Sequence, residues 1–164
     1  MLSEKQRVLL VLNGTGLLMM VIFAGWFYFI LLLEGFRLFP FVEYIPMEVP
    51  GDRRAWNMAH MQAITNGLML WGTAAIAPYL KLSHRLASVL FWTSITYAWL
   101  FTLPAIANAL FDTRGLAFGG GPFEGGLIND LIYLSGWPSL VSVHIAFPIL
   151  VYGAFSKYKS LDKQ

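Results

Sequence analysis

Residues 8–33 read VLLVLNGTGLLMMVIFAGWFYFILLL, an apolar run with no charged residue and only Asn13, Gly14, Thr15 and a few other small residues to interrupt it. A helix needs about 20 such residues to cross the hydrocarbon core of a bilayer, so this run is long enough to span one. A secretory signal has a shorter apolar region that ends at a small-residue cleavage site, whereas this run continues through Trp26, Phe27, Tyr28 and Phe29. We expect it to be retained. Outward from it lie three more apolar runs, at about 55–80, 86–111 and 127–155, each bounded by charges, glycine or proline. The expected fold is an all-α integral membrane protein: a four-transmembrane-helix bundle forming a single domain over residues 1–164. Pro104, Pro138 and Pro148 fall inside the runs, where each removes a backbone donor and predicts a kink or a packed irregularity.

Composition agrees. Hydrophobic residues make up 57% of the chain and charged residues 12%, against about 25% charged in soluble domains. The net charge is +2, but the basic residues flank the apolar runs and form no stripe, which argues against nucleic acid as a partner. With no cysteine, the chain has no disulfide, thiolate metal site or covalently attached haem.

Lys5, Arg7, Lys81, Arg85, Lys157, Lys159 and Lys163 flank one side of the expected spans, and Arg37, Arg53, Arg54 and Arg114 the other. The excess of Lys and Arg marks the cytoplasmic side, so both termini are expected there, in a multi-pass protein of a bacterial-type inner membrane. The connection over residues 35–54, FRLFPFVEYIPMEVPGDRR after its first glycine, is aromatic and proline-containing. It is expected at the membrane interface, where amphipathic rings are favoured, and it is placed to lid a site.

Polar side chains inside a span are costly and point to function, and the second run has the richest set: Asn57, His60, Gln62, Thr65 and Asn66. His60 lies one turn after Trp56, and Gly67 shares its face, leaving room for a flat ligand or a neighbouring helix. By spacing, His60 is either a histidine donating a hydrogen bond between helices or an axial haem ligand with the opposite iron position open. His144 sits deeper in its own run and is read as a packing or hydrogen-bonding residue, and His84 as a solvated loop residue. Six residues of helix turn Asn66 about 120° away from His60, so the two cannot enter one pocket within a monomer; an oligomer removes that objection. Asn66 could equally be interhelical glue. In DTRGLAFGGGPFEGG at 112–126 the glycines suit tight turns rather than a phosphate cradle, since no strand precedes them and no Lys-Ser/Thr pair follows. Arg114 there could meet a haem propionate, cap helix carbonyls or bind lipid headgroups. No catalytic triad and no spaced pair of carboxylates is present.

Val49-Pro50-Gly51, the W56-x3-H60-x5-N66-G67 segment, Trp99, and RGLxFG at 114–119 followed by Phe123 together resemble the styrene oxide isomerase family. The resemblance runs without gaps from Val49 to Gly126 and is most specific at 56–67 and in the RGLxFG loop. It implies a membrane isomerase that assembles as a homotrimer, with haem b between neighbouring subunits. His60 is then the iron ligand, Trp56 and Arg114 are cofactor-binding residues, and Asn66 is the catalytic asparagine. The implied reaction takes a lipophilic aryl epoxide such as styrene oxide from the membrane lipid. Ferric iron acts as a Lewis acid on the epoxide oxygen, the benzylic C–O bond opens, and a 1,2-hydride shift gives the aryl acetaldehyde without net electron transfer. The chain departs from the family at Ala105, nine residues before Arg114, where a tyrosine is expected. The alternative is a non-enzymatic membrane haem b protein for electron transfer or gas sensing; a structural subunit without haem is a third possibility.

Overall fold

The computed structural model describes residues 1–162; Lys163, one of the basic residues counted for orientation, lies outside the described residues. Four long helices carry the fold: α1 (Glu4–Leu33), α2 (Arg53–Ile76), α3 (His84–Leu110) and α4 (Leu127–Leu161). Their starts follow from local capping. Ser3 and Gln6 form a reciprocal capping box on α1, Asp52 caps α2 by accepting the Ala55 N–H, and Ser83 caps α3 by accepting the Leu86 N–H. Glu34 closes α1 in the left-handed conformation. Pro104, Pro138 and Pro148 lie within α3 and α4, each of which remains one helix.

The helices pack in sequence order, with α2 between α1 and α3, and α4 against α3. The α1–α2 seam is close where Gly14 meets Gly67. A Cβ on Gly67 would lie 3.0 Å from the Gly14 carbonyl oxygen, and one on Gly14 would lie 2.8 Å from the Gly67 oxygen. Neither residue can be enlarged without separating the helices, the use of small residues expected between spans. The space beside Gly67 is thus taken by a neighbouring helix. One buried cluster, including Leu10, Leu17, Leu70 and Leu90, fills the bundle toward the termini, and a second, built on Ala24, Trp56, Ala59, Ala105 and Ile106, fills the opposite half.

Both termini lie at one end of the bundle. The Met1 ammonium donates to the Leu82 carbonyl at 3.0 Å, and the Lys81 N–H donates to the Gly153 carbonyl at 3.0 Å. These bonds bring the α2–α3 connection and the end of α4 to the start of the chain. The long connections therefore gather at the other end.

To the expected helical architecture the structure adds one element. The 35–54 connection contains an antiparallel hairpin, β1 (Gly35–Leu38) paired with β2 (Val42–Pro46). Its tip presents Phe39 and Phe41, which are 80% and 84% exposed. Three helices, α1, α3 and α4, are long and apolar enough to cross a membrane. At 24 residues α2 has the length, about 36 Å, but the polar residues between Asn57 and Asn66 lower its hydropathy.

Candidate functional site

His60 sits on the face of α2 turned toward α1. Its Nδ1 is buried and has no hydrogen-bond partner among the described residues. Opposite it is Gly25, where a Cβ would lie 3.2 Å from both Cε1 and Nδ1 of the ring, so the missing side chain makes room for the imidazole. The ring borders an open groove of about 380 Å³ formed by Val21, Ile22, Gly25, Trp26 and Phe29 of α1 together with Leu38 of the hairpin. His60 is the only titratable side chain in that lining.

No group of three or more His, Cys, Asp or Glu able to hold a bare metal ion occurs among the described residues. A prosthetic group that brings its own in-plane nitrogens needs only one protein ligand, and a neutral imidazole in apolar surroundings is such a ligand. One imidazole is too few donors for a free ion but is enough for a haem, whose iron could reach only Nε2, since Nδ1 is enclosed against Gly25.

Asn66 is 5% exposed and belongs to another seam. Its Nδ2 donates to Thr102 Oγ1 of α3 and to Gln62 Oε1, each at 3.0 Å, and the Thr102 hydroxyl in turn donates to the Ala98 carbonyl at 2.8 Å. His60 thus faces α1 while Asn66 faces α3; the chain does not bring the two together.

Trp56 lies inside the α1–α2 seam, fully buried, stacked on Phe27 at 4.7 Å between ring centroids and donating Nε1 to the Pro50 carbonyl at 2.7 Å. It is not part of the groove lining. Arg114 stands at the loop end of the bundle, where its Nη2 donates to Asp52 Oδ2 at 2.6 Å and its guanidinium lies 5.9 Å from the Phe123 ring centre. Asp52 Oδ1 accepts the Ala55 N–H at 2.7 Å. That hydrogen bond first, and the Arg114 guanidinium after it, hold the Asp52 carboxyl below its usual value of 3.8 against the opposing effect of partial burial. Ala105 is buried and borders a cavity of about 30 Å³ shared with Met58, Asn108 and Arg114, room for about one water.

Two structural polar residues escaped the sequence reading. Asn129, 1% exposed, accepts the Gly115 N–H at 2.9 Å and donates to the Ala117 carbonyl at 2.9 Å, and the neighbouring Asp130 accepts the Gly119 N–H at 2.7 Å. These side chains at the start of α4 hold the glycine-rich loop, in which Gly115, Gly119, Gly120 and Gly121 all have positive φ. The adjacent Asn-Asp pair just inside an apolar run was the available signal. Asn13 accepts the Trp99 indole N–H at 2.9 Å, tying α1 to α3. His144 is exposed, with Nδ1 2.7 Å from the Leu140 carbonyl of its own helix.

A family model described as styrene oxide isomerase matches residues 6–155, from the first turn of α1 to near the end of α4. No curated protein matches the chain.

Proposed function

This chain belongs to the styrene oxide isomerase family and is a membrane protein; from that premise we propose that it converts an aryl epoxide to the aryl acetaldehyde, using haem b held by His60. The observation that carries the reading is the imidazole itself, the one titratable side chain of an apolar groove, seated against Gly25 with its Nε2 left to a ligand. The chemistry such a group supplies is Lewis acidity at the epoxide oxygen, which opens the benzylic C–O bond for a 1,2-hydride shift with no net electron transfer.

The chain's own residues contribute the rest. Trp26, Phe29 and Leu38 line an apolar groove that favours a lipophilic substrate arriving from membrane lipid and keeps water from it. Because His60 and Asn66 face opposite seams, we assign them to one site through different copies of the chain, His60 from one and Asn66 from the next, in a homotrimer. The donors of Arg114 left over from Asp52 are available to a propionate carboxylate. In this reading α2 crosses the bilayer with α1, α3 and α4, both termini are cytoplasmic, and the membrane is a bacterial inner membrane.

The test is the visible spectrum of the protein purified in detergent, before and after His60→Ala, followed by incubation of the ferric protein with styrene oxide. We expect a Soret band that the substitution removes, aldehyde formation, and loss of turnover on reduction with dithionite. Absence of a Soret band after haem supplementation sinks the cofactor assignment. Haem without aldehyde from any aryl epoxide leaves the second reading, a non-enzymatic haem protein. One residue favours that second reading: Ala105 has no hydroxyl to offer where the resemblance expects tyrosine.

A further inference from the structure

A second open groove, of about 660 Å³, lies between α1 and α2 at the end of the bundle that carries the termini. Its body is apolar: Val8, Val11 and Leu12 of α1 stand beside Trp71, Ala74 and Ala75 of α2. A Cβ on Gly14 would lie 2.5 Å from Trp71 Cδ1, so that glycine lets the indole lie against α1. The indole N–H is spent on the Val11 carbonyl at 3.0 Å, which leaves the apolar ring for an occupant. Trp71 comes eleven residues after His60 on the same face of α2, about 16 Å along the axis, so the two grooves lie at opposite ends of one seam.

The polar end of the groove is formed by Glu4 and Arg7. Side chains three residues apart on a helix are neighbours, about 5–6 Å between Cβ atoms, yet these two do not pair: among the described residues the one ion pair joins Arg114 to Asp52. Arg7 Nε is buried and has no hydrogen-bond partner among the described residues, so a ligand can reach only the terminal nitrogens, which are not enclosed. The guanidinium is always charged, and its forked donors fit a phosphate. Glu4 is exposed and offers a carboxylate. A cation and an anion thus stand side by side at the mouth of an apolar trough, where the charged start of α1 gives way to the apolar run that begins at Val8.

We propose that this groove binds a zwitterionic phospholipid with a primary ammonium, of the phosphatidylethanolamine type, from the leaflet at that end. The phosphate accepts from the terminal N–H groups of Arg7, the ammonium donates to the Glu4 carboxylate, and an acyl chain lies over Val8, Leu12 and Trp71. The two-carbon link between phosphate and ammonium suits two side chains that are neighbours on one helix face. An anionic headgroup satisfies Arg7 but is repelled by Glu4. A choline headgroup carries the same charges as ethanolamine but has no N–H to donate, so Glu4 tells the three headgroups apart. The proposal uses one copy of the chain and needs neither a bound cofactor nor isomerase activity.

The test is native mass spectrometry of the full chain, stripped of lipid in detergent and titrated with phosphatidylethanolamine, phosphatidylcholine and phosphatidylglycerol of identical acyl chains. The wild type is expected to bind phosphatidylethanolamine about 2- to 5-fold more tightly than phosphatidylcholine, the worth of one exposed charged contact. Those two lipids have the same net charge, so the other basic groups at this end attract them alike. Glu4→Ala, which leaves the Ser3–Gln6 capping box in place, should erase the preference and leave phosphatidylglycerol binding unchanged or raised. Arg7→Met should weaken both zwitterionic lipids alike, by about twofold or more, and leave diacylglycerol, which has no phosphate, within about twofold. Glycerophosphoethanolamine, the headgroup without its chains, should bind at least about tenfold more weakly than the lipid, because the apolar trough then goes unused. No preference over phosphatidylcholine, a preference that survives Glu4→Ala, or weaker phosphatidylglycerol binding in Glu4→Ala overturns the proposal. So does a bare headgroup that binds as well as the lipid, or lipid binding indifferent to Arg7→Met, the result expected if another copy of the chain covers the groove. The wild-type lipid series needs no variant, so the proposal stays falsifiable if Arg7→Met does not fold.

Discussion

Arg114 and Asp52 are joined across 62 residues by a 2.6 Å contact between Nη2 and Oδ2, while the other oxygen of the same carboxylate caps α2. One side chain therefore starts the helix that carries His60 and fastens the loop that leads into α4. Because the folded-state pKa of Asp52 is depressed below 3.8, its contribution is fully present above that value and is lost as pH falls through the lower, folded-state value. Thermal unfolding in detergent should show an acid-side loss of stability beginning below about pH 4. Asp52→Asn, which retains the cap without the charge, should reduce that loss; an unchanged acid profile would contradict the assignment. Asp52→Ala should cost about 1 kcal/mol at neutral pH through loss of the cap.

The room that Gly25 leaves for the His60 ring leads to a second prediction. Gly25→Val places methyl groups against Cε1 and Nδ1, which lie 3.2 Å from the nearest possible Cβ, and must turn the imidazole. With haem held by His60 as proposed, haem affinity, read from Soret absorbance during titration, should fall about tenfold or more while circular dichroism remains helical. Unchanged haem affinity would mean that this face of the ring is irrelevant to the cofactor.

Close approach at Gly14 and Gly67 predicts a different phenotype. Gly67→Val must push α1 and α2 apart, because its Cβ would lie 3.0 Å from both the Gly14 oxygen and Leu18 Cγ. Overpacking of this kind costs about 1–3 kcal/mol, read as a lower midpoint in denaturant titration. Gly72→Ala, at a position with nothing within 4 Å of a Cβ, serves as the control and should leave the midpoint unchanged or slightly raised.

Asn129 anchors the glycine-rich loop through a buried side chain whose oxygen and amide are both bonded. Asn129→Leu leaves the Gly115 N–H and the Ala117 carbonyl without these partners, a cost of about 1–3 kcal/mol for each group that stays buried. The loop should then open locally, and trypsin should cut after Arg114 faster than in the wild type, by at least several-fold. An unchanged cleavage rate would show that the backbone turns hold the loop without Asn129.

Of the candidate site, His60 and its angle to Asn66 could be read before any tertiary contact was known, and the rest of the groove lining could not. The 3.6-residue turn alone sets His60 and Asn66 about 120° apart, and the structure gives them separate partners, Gly25 on α1 and Thr102 on α3. Those partners were not legible, since Gly25 is one of 15 glycines and Thr102 an unremarkable residue of an apolar run. The hairpin was also missed: its strands of four and five residues are too short, and too broken by proline, to register as an alternating pattern.

By itself the sequence determined the apolar runs and the angular spacing of polar residues on α2, because each is a local property set by side-chain transfer energies and helix geometry. Only the tertiary structure decided which seam each polar group enters, that the space by Gly67 belongs to α1, and that Asn66 spends both its amide hydrogens within the chain. Those outcomes depend on which faces of the helices meet and how closely, and contacts between residues as far apart as Asn66 and Thr102 exist only once packing has brought their helices together.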